Sequence, residues 1–430
     1  MTGLIKQKQS LLLSHLEAQF EKLKEADALC SLRQLAWKKF QELGLPNRAQ
    51  DAFKYVSLHE LHALTIDQIC DIPEVDKKHF ESEVLPESKH SYFLFVDGCF
   101  YPSLSNFSAL PLQIKVLSLS GAMHSHKAFL QNHLQQQMQR EQDPFAALNL
   151  ALHSNGLFVY IPPKIVVNTP IQCLQVVTEK ASFTAPRMQI VAGAHTQTKW
   201  IFSYLDYKSD AYLSLPLLDF TLEESAEVHM YSAEYHKEHR LHFSSLRAAL
   251  KKNTSFQATH LSAGGRVSRV NAHICLKEEG SRTQLKGLFN LCGKAASHCH
   301  LTVEHKAPDT SSLQHFKGIL NDFSRSSFEG KTKVDSEAQG TRAYQLNNNL
   351  LLSTGAIANS KPNLEIFADD VKASHGATVS QLNEDQLFYL ETRGLSPIEA
   401  REMLLNAYAQ EIMQEIPYRS LKEQILREMF

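Results

Sequence analysis

Between residues 155 and 380 the chain offers little but short strands. LFVYIPPKIVV, RMQIVAG, KWIFSYL, LLDFTLE, EVHMYSAEY and HFSSLRAAL follow one another across Gly, Ser, Asn and acidic turns. TSFQATHL, RVNAHICL, TQLKGLFNL, HCHLTVEH and SSFEGKTKV come next. Three of these recur at nearly constant spacing, Val228, Phe256 and Leu285 lying 28 and 29 positions apart. The next similar unit puts Phe328 another 43 on, which predicts one coil carrying an insertion. A unit this short cannot bury its own apolar face and must stack on its neighbours, the condition for a β-solenoid. A sandwich or barrel is also built from many short strands, and periodicity alone leaves these open.

Helices flank this run. Leu12, Leu13, Leu16, Phe20 and Leu23 recur at helical spacing. A second helix carries Leu32, Leu35, Ala36, Phe40 and Leu43, with Ser31 as its expected cap, Gly44 as terminator and Pro46 beyond. The segment NRAQDAFKYVSL reads as a connector with Phe53 and Tyr55 turned inward. Residues 91–118 alternate as strands around an Asp97-Gly98 turn, and 121–143 form a helix closed by Asp143-Pro144. At the far end Asn383 caps a helix bearing Leu387, Phe388 and Leu390 and ended by Gly394. Ser396-Pro397-Ile398-Glu399 is a capping box. Behind it Ala400, Met403, Leu404, Ala407, Tyr408 and Ile412 form an apolar stripe, which must cover either the chain's own solenoid or a partner. Pro417 ends that helix, and Ser420 with Glu423 is expected to cap a last one. The organisation expected is a helical region over 1–90, a mixed connecting region over 91–154, the strand-built core over 155–380 and a helical region over 381–430.

Composition narrows the function classes. The 430 residues are 43% hydrophobic and 21% charged, ordinary for a folded soluble chain. A net charge of −2 supplies no basic field for nucleic acid. No stretch approaches the roughly 20 apolar residues a membrane helix needs. The first residues carry only the apolar run Leu11–Leu13, too weak for a secretory signal, so the cytoplasm is the expected location. The seven cysteines are scattered without a CxxC pair, which speaks against a disulfide framework or structural zinc. Histidine, used 21 times, leaves room for metal or proton chemistry. His298, His300 and His305 alternate along HCHLTVEH, the first two expected on one face with Cys299 opposite.

Chemistry concentrates in NNNLLLSTGAIANSKPNLEIFADDVKASHGATV, residues 347–379. It contains no GxSxG, no P-loop and no HExxH. Asp369 and Asp370 read either as an acid–base pair or as turn residues bonding to backbone. His375, beside Gly376, suits either iron or a hydrogen bond at a strand corner. Lys372 and Ser374 are its neighbours.

Three stretches carry a family resemblance: residues 143–171, residues 300–353 and PNLEIFADDVKASHGATVSQLNEDQLFYLETRGLSPIEAREMLL. The chain resembles the SufB/SufD family of iron–sulfur assembly proteins, whose signature is ADDVKCSHGAT, and its SufD branch more than its SufB branch. FKYV at 53–56 looks like the family's WKYT. The resemblance implies a mainly β fold, a right-handed parallel β-helix flanked by helical N- and C-terminal regions. It implies a non-enzymatic scaffold subunit that pairs with SufB through the β-helix and binds SufC, an ABC-type ATPase, through the C-terminal helices. Phe388, Tyr389, Arg393 and Leu404 lie in the segment resembling that docking region. His375 matches the histidine implicated as iron or cluster ligand at the SufB interface, where Asp369, Asp370, Lys372 and Ser374 are also expected. Ala373 departs from the family, replacing the usual cysteine, and alanine cannot ligate iron. The expectation is therefore no cluster held stably by this chain alone and a colourless isolated protein. A nascent cluster, and a flavin sometimes associated with such complexes, would belong to the assembly. A homodimer delivering iron without SufB and a β-helix carbohydrate-active enzyme using Asp369, Asp370 and His375 are the alternatives.

Overall fold

The computed structural model describes residues 2–25, 27–66, 80–178, 182–207, 210–235 and 237–429. Two parallel-stranded sheets face each other over one apolar lumen and make a parallel β-solenoid. Among the described residues the first sheet has ten strands and ends on Val371–Ser380; the second has eleven and ends on Ile357–Ile366. Each coil contributes one strand to each sheet, so successive strands of one sheet are separated by a strand of the other. In the first sheet Thr198 pairs with Val228, Val228 with Phe256, Phe256 with Thr283, Thr283 with Ser312 and Ser312 with Ala343. The period is thus close to that expected, and the insertion is not there. Phe328 belongs to the second sheet, paired with Cys299. The coil that follows Leu285 is Ser311–Leu320, in which Gln314 takes the register position beside Leu285. A polar residue at an inward position hid that coil from a hydrophobic pattern.

The lumen is filled by side chains from alternate positions of both sheets, as the pleat requires. Trp200, Phe202, Phe220, Phe256, Phe289, Phe316 and Phe328 are among its buried members. Cys99, Cys173, Cys275 and Cys299 are buried as small apolar residues, Cys292 is exposed, and Cys70 lies outside the described residues. The connecting region is partly solenoid. Tyr92–Val96 pairs in parallel with Ile171–Val177 on the first sheet, and Lys115–Ser118 closes the second. Asp97 and Gly98, both at positive φ, make the hairpin turn between Val96 and Cys99.

The N-terminal helices Thr2–Leu23 and Cys30–Leu43, with Lys127–Arg140 and Pro144–Leu152, pack on the outer face of the second sheet through Phe145, Phe243 and Val267. Ser31 does not cap the second helix. No side chain caps it; Asp27 instead turns the chain just ahead of the helix, its Oδ1 accepting from the Leu29 N–H at 2.9 Å while it also holds Arg33. Gly44, at φ 71°, ends the helix as expected. Phe53 is buried against Phe145, and Tyr55 is half-buried.

At the other end the helix Pro397–Met413 divides in two. Its second half, with Ala409, Ile412 and Met413, joins Arg419–Met429 on the outer face of the first sheet, against Ile201, Leu261, Leu288 and Ile319. Its first half stands clear. Ser396 and Glu399 form the expected capping box and Asn383 caps Glu384–Thr392. Ser420 is not a cap within its own helix: its N–H and Oγ donate to the Glu87 carboxylate, 333 positions away. No helix is long and apolar enough to cross a membrane among the described residues.

Candidate functional site

Among the described residues the solenoid ends without a covering element. Val371–Ser380 and Ile357–Ile366 are each paired on one side only, so a row of backbone donors and acceptors faces outward on each. Open parallel edges of this kind are templates for another strand. Apolar residues cluster around them: Ile357, Ile366, Phe367 and Val379 are all exposed.

His375 lies on this edge, and register fixes its direction. It stands beside Gln345, which stands beside Gln314. Gln345 is 3% exposed and its amide crosses the lumen to Thr332 of the second sheet, Nε2 to Oγ1 at 2.8 Å. Side chains paired in a parallel ladder share a face, so His375 points along the mouth of the lumen, exposed because no coil follows. Ala373 shares that face, beside the fully buried Ala343. The usual cysteine there would face the lumen mouth with the histidine; alanine only fills space.

Lys372 and Ser374 lie on the opposite, outer face, Ser374 beside the exposed Tyr344. Asp369 and Asp370 sit in the turn before the strand. The bonding at that turn runs from another residue: Gln339 Oε1 accepts from the Asp370 N–H at 2.9 Å, and the Asp370 carbonyl accepts from Gly340. These hydrogen bonds are made by the backbone of Asp370 rather than by its carboxylate.

The inward column that His375 completes changes character along the axis. From the N-terminal side it reads Ile171, Trp200, Met230, Ala258 and Leu285, then Gln314, Gln345 and His375. Thr332, the inward residue opposite, accepts from both glutamines. This polar ladder escaped sequence reasoning, because its members are neighbours only once the coil register is known.

His298 and His300 share the outer face of the second sheet, with Cys299 in the lumen, as alternation predicts. They build no three-histidine site. His298 donates to or accepts from Ser327 Oγ at 2.8 Å, and His305, on the other face, bonds Thr310 and Ser312. Burial, aided by Arg269, lowers His298 to about 3 and His300 to about 4; burial alone lowers His305 to about 4, so all three are neutral near pH 7. Among the described residues no group of three or more His, Cys, Asp or Glu converges to hold a metal. Burial also pushes the Cys173 and Cys299 thiols up and Cys275 to about 11, which makes them poor sources of thiolate. A cleft of about 740 Å³ lies elsewhere, between Asp51–Phe53, Lys127–Arg140 and the outer second sheet. Many of its charges are paired with each other, as in Arg247–Glu141, Arg269–Asp143 and Lys361–Asp51.

The helix pair Glu384–Thr392 and Pro397–Met413 presents a second exposed apolar surface. Phe388 is 68% exposed, Tyr389 56%, Ile398 70% and Met403 49%. Arg393 lies over the Tyr389 ring at 5.1 Å and donates to its hydroxyl at 3.0 Å, while Leu404 is half-buried. In the projecting half of the stripe Ala400 is buried and Leu404 half-buried, while Met403 is exposed.

Comparison with known proteins agrees with this architecture. Residues 175–408 match the model for the SUF system FeS cluster assembly SufBD core domain, and residues 6–173 match that for the SufBD protein N-terminal region. An iron–sulfur cluster assembly SufBD family protein of Synechocystis is 31% identical over 408 residues, covering 93% of this chain and 90% of the relative. The iron–sulfur cluster assembly protein SufD of Escherichia coli is 32% identical over 209 residues, about half of each chain (48% and 49%). The chloroplastic protein ABCI7 of Arabidopsis thaliana is 31% identical over 217 residues, 50% of this chain and 45% of the relative. With a matching core profile over more than half its length and a relative matched almost end to end, the chain belongs to the SufBD family of the SUF iron–sulfur cluster assembly system.

Proposed function

We propose that this chain is a non-catalytic scaffold subunit of a SUF assembly complex. In this reading it pairs with a SufB-type paralogue through the open solenoid end and docks a SufC-type ABC ATPase through the projecting C-terminal helix pair. His375 serves there as an iron or cluster ligand, and the cluster is cargo completed with ligands from the partner. The observation that carries the reading is the uncapped last coil, where unpaired backbone, exposed Phe367 and Val379, and His375 lie together. Ala373 at the signature's cysteine position, with Cys99, Cys173, Cys275 and Cys299 buried, favours thiolates supplied from outside this chain. The same edge is self-complementary enough in principle to pair with a second copy, since strand addition reads backbone rather than sequence, and a homodimer is the second reading.

The test is co-expression with SufB-type and SufC-type partners, comparing the unaltered chain with His375→Ala. Complex recovery and anaerobic iron–sulfur absorbance after reconstitution are read together. The proposal expects both chains to form the complex and only the unaltered one to build cluster. Normal cluster assembly by His375→Ala removes His375 from the site. Failure of the unaltered chain to bind either partner overturns the scaffold reading and leaves the homodimer.

A further inference from the structure

The cleft between the helix Lys127–Arg140 and the outer face of the second sheet, about 740 Å³, is of the size usual for small-molecule sites, about 300–1,000 Å³. Its charges do not balance. Every carboxylate that lines it faces a lysine, an arginine or an imidazole within 3.7 Å among the described residues. Of its lysines and arginines, Arg140 and Lys277 make no ion pair there. The coil register explains why Lys277 is left over. Leu250 pairs with Leu276 and Leu276 with His305. The lysines that follow these residues, Lys251, Lys277 and Lys306, therefore stand one above another at the strand spacing of about 4.8 Å. The outer two have acidic partners, Lys251 with Glu223 at 2.7 Å and Lys306 with Glu304 at 2.9 Å. Lys277 has a lysine on either side. Arg140 comes from the helix on the facing wall, and it gathers at the same point: Arg140, Lys277 and Lys306 all act electrostatically on the Cys275 thiol, which burial pushes up to about 11. Like charges on neighbouring strands are destabilising, and a cluster drawn from two walls of a cleft is suited to an anion.

We propose that this end of the cleft binds the phosphate group of a small molecule, held between Lys277 and Lys306 on the sheet and Arg140 on the helix. A single carboxylate would neutralise one of these cations. A phosphate carries close to two negative charges and three acceptor oxygens, so it can meet ammonium groups on one side and a guanidinium on the other. Arginine offers such a group a planar fork, while lysine reaches it as a flexible point charge. Binding turns the repulsion along the lysine ladder into attraction toward a shared anion. Away from the cations the cleft is lined by the uncharged side chains of Gln136, Thr302 and Asn363, hydrogen-bonding groups suited to the body of such a molecule. Arg140 and Lys277 are both exposed, so the attraction is screened by salt and the binding is reversible.

The experiment is titration calorimetry of the isolated full chain with inorganic phosphate, pyrophosphate and ADP, at low salt and without divalent metal. The variants are Lys277→Ala, Arg140→Ala, Lys277→Arg and, on the edge strand, Lys372→Ala. The unaltered chain is expected to bind one pyrophosphate, more weakly as salt rises. Lys277→Ala and Arg140→Ala should each weaken binding about 10-fold or more. Lys277→Arg should retain it, and Lys372→Ala should leave it unchanged. Without ligand, Lys277→Ala should melt no lower than the unaltered chain, because it removes a repelled charge and no ion pair, so lost binding is not lost folding. ADP binding more tightly than pyrophosphate assigns the site a ligand whose body lies along Gln136, Thr302 and Asn363; equal affinity assigns it the free oxyanion. If none of the three probes binds, the proposal falls. It falls equally if Lys277→Ala or Arg140→Ala binds pyrophosphate like the unaltered chain. The scaffold reading stands in either case, since Lys277 follows a strand three places in from the open edge of its sheet.

Discussion

Lys317 and Glu411, 94 positions apart, form the ion pair that fastens the long C-terminal helix to the outer face of the first sheet. Lys317 also donates to the Tyr408 carbonyl at 2.9 Å and lies 4.2 Å from the centre of the Tyr408 ring. Lys286 and Glu415 repeat the arrangement one turn on, at 2.7 Å. The helix is thus held at its docked half by two lysines from adjacent strands, while its other half projects from the sheet with Ile398 and Met403 exposed.

That attachment titrates. The hydrogen bond from Lys317 holds the Glu411 carboxyl below its ordinary value of 4.5, against an opposing effect of burial, with the charges of Lys317, His315 and Lys286 adding to it. A carboxyl lowered in the folded state stabilises fully above its unfolded value and loses that contribution as pH falls through its folded value. Hydrogen exchange over residues 405–413 should be pH-insensitive in its protection above about pH 5 and should lose protection below pH 4.5. Glu411→Gln should remove that dependence. Because the carboxylate is half exposed, the cost in global stability should stay within about 1 kcal/mol.

The lumen makes a sharper demand at Gly287. Its register partner in the next coil is Phe316, and a Cβ on Gly287 would lie 2.3 Å from two atoms of that ring. The ring in turn contacts Phe289 and Phe328, so it has no empty space to move into. Gly287→Ala should destabilise the chain by about 1–3 kcal/mol, measured by chemical denaturation. A Phe316→Leu change in the same chain should recover part of the loss, because it removes the clash.

Glu141 and Arg247 tie the N-terminal helical layer to the second sheet through two hydrogen bonds, 2.8 and 3.0 Å, with both side chains more than nine-tenths buried. Removing one charge from a buried pair leaves the other uncompensated. Glu141→Gln should therefore cost about 3–5 kcal/mol, read from the denaturation midpoint. The double change Glu141→Leu with Arg247→Met should be milder than Glu141→Gln alone, because it leaves no buried charge behind.

The solenoid was legible because stacking imposes a period, and a period survives in apolar residues such as Val228 and Phe256. It is illegible where the lumen turns polar: with Gln314 at an inward position, the coil Ser311–Leu320 drops out of the apolar pattern, and the next apolar match is Phe328 of the other sheet. The helix ends show the same division. Asn383, Gly44 and the Ser396–Glu399 box act within their own segments and were readable. Asp27 and Glu87 act from outside the helical pattern, and Glu87 does so from the far side of the sequence. His375 was legible as part of a motif, but not its direction; that required Gln345, 30 positions away, as its register partner. Whether Lys372 and Ser374 faced the lumen or the outside followed from the same register.

The projecting helix pair yields the last prediction. Phe388 and Tyr389 are large, apolar or aromatic, and more than half exposed, and they touch no core cluster of this chain. Exposed aromatic side chains rarely contribute to the stability of their own chain, yet they dominate interfaces once desolvated by a partner. Phe388→Ala and Tyr389→Ala should leave the melting behaviour of the isolated protein unchanged to within about 0.5 kcal/mol. In pull-down with a SufC-type ATPase, Phe388→Ala should weaken capture by more than about 2 kcal/mol, roughly 30-fold. Lys372→Ala, on the outer face of the edge strand, should capture the ATPase normally. If Phe388→Ala retains full capture while Ile412→Ala, on the docked half, loses it together with thermal stability, the exposed half is not the docking surface. The helix would then serve only to cover the first sheet.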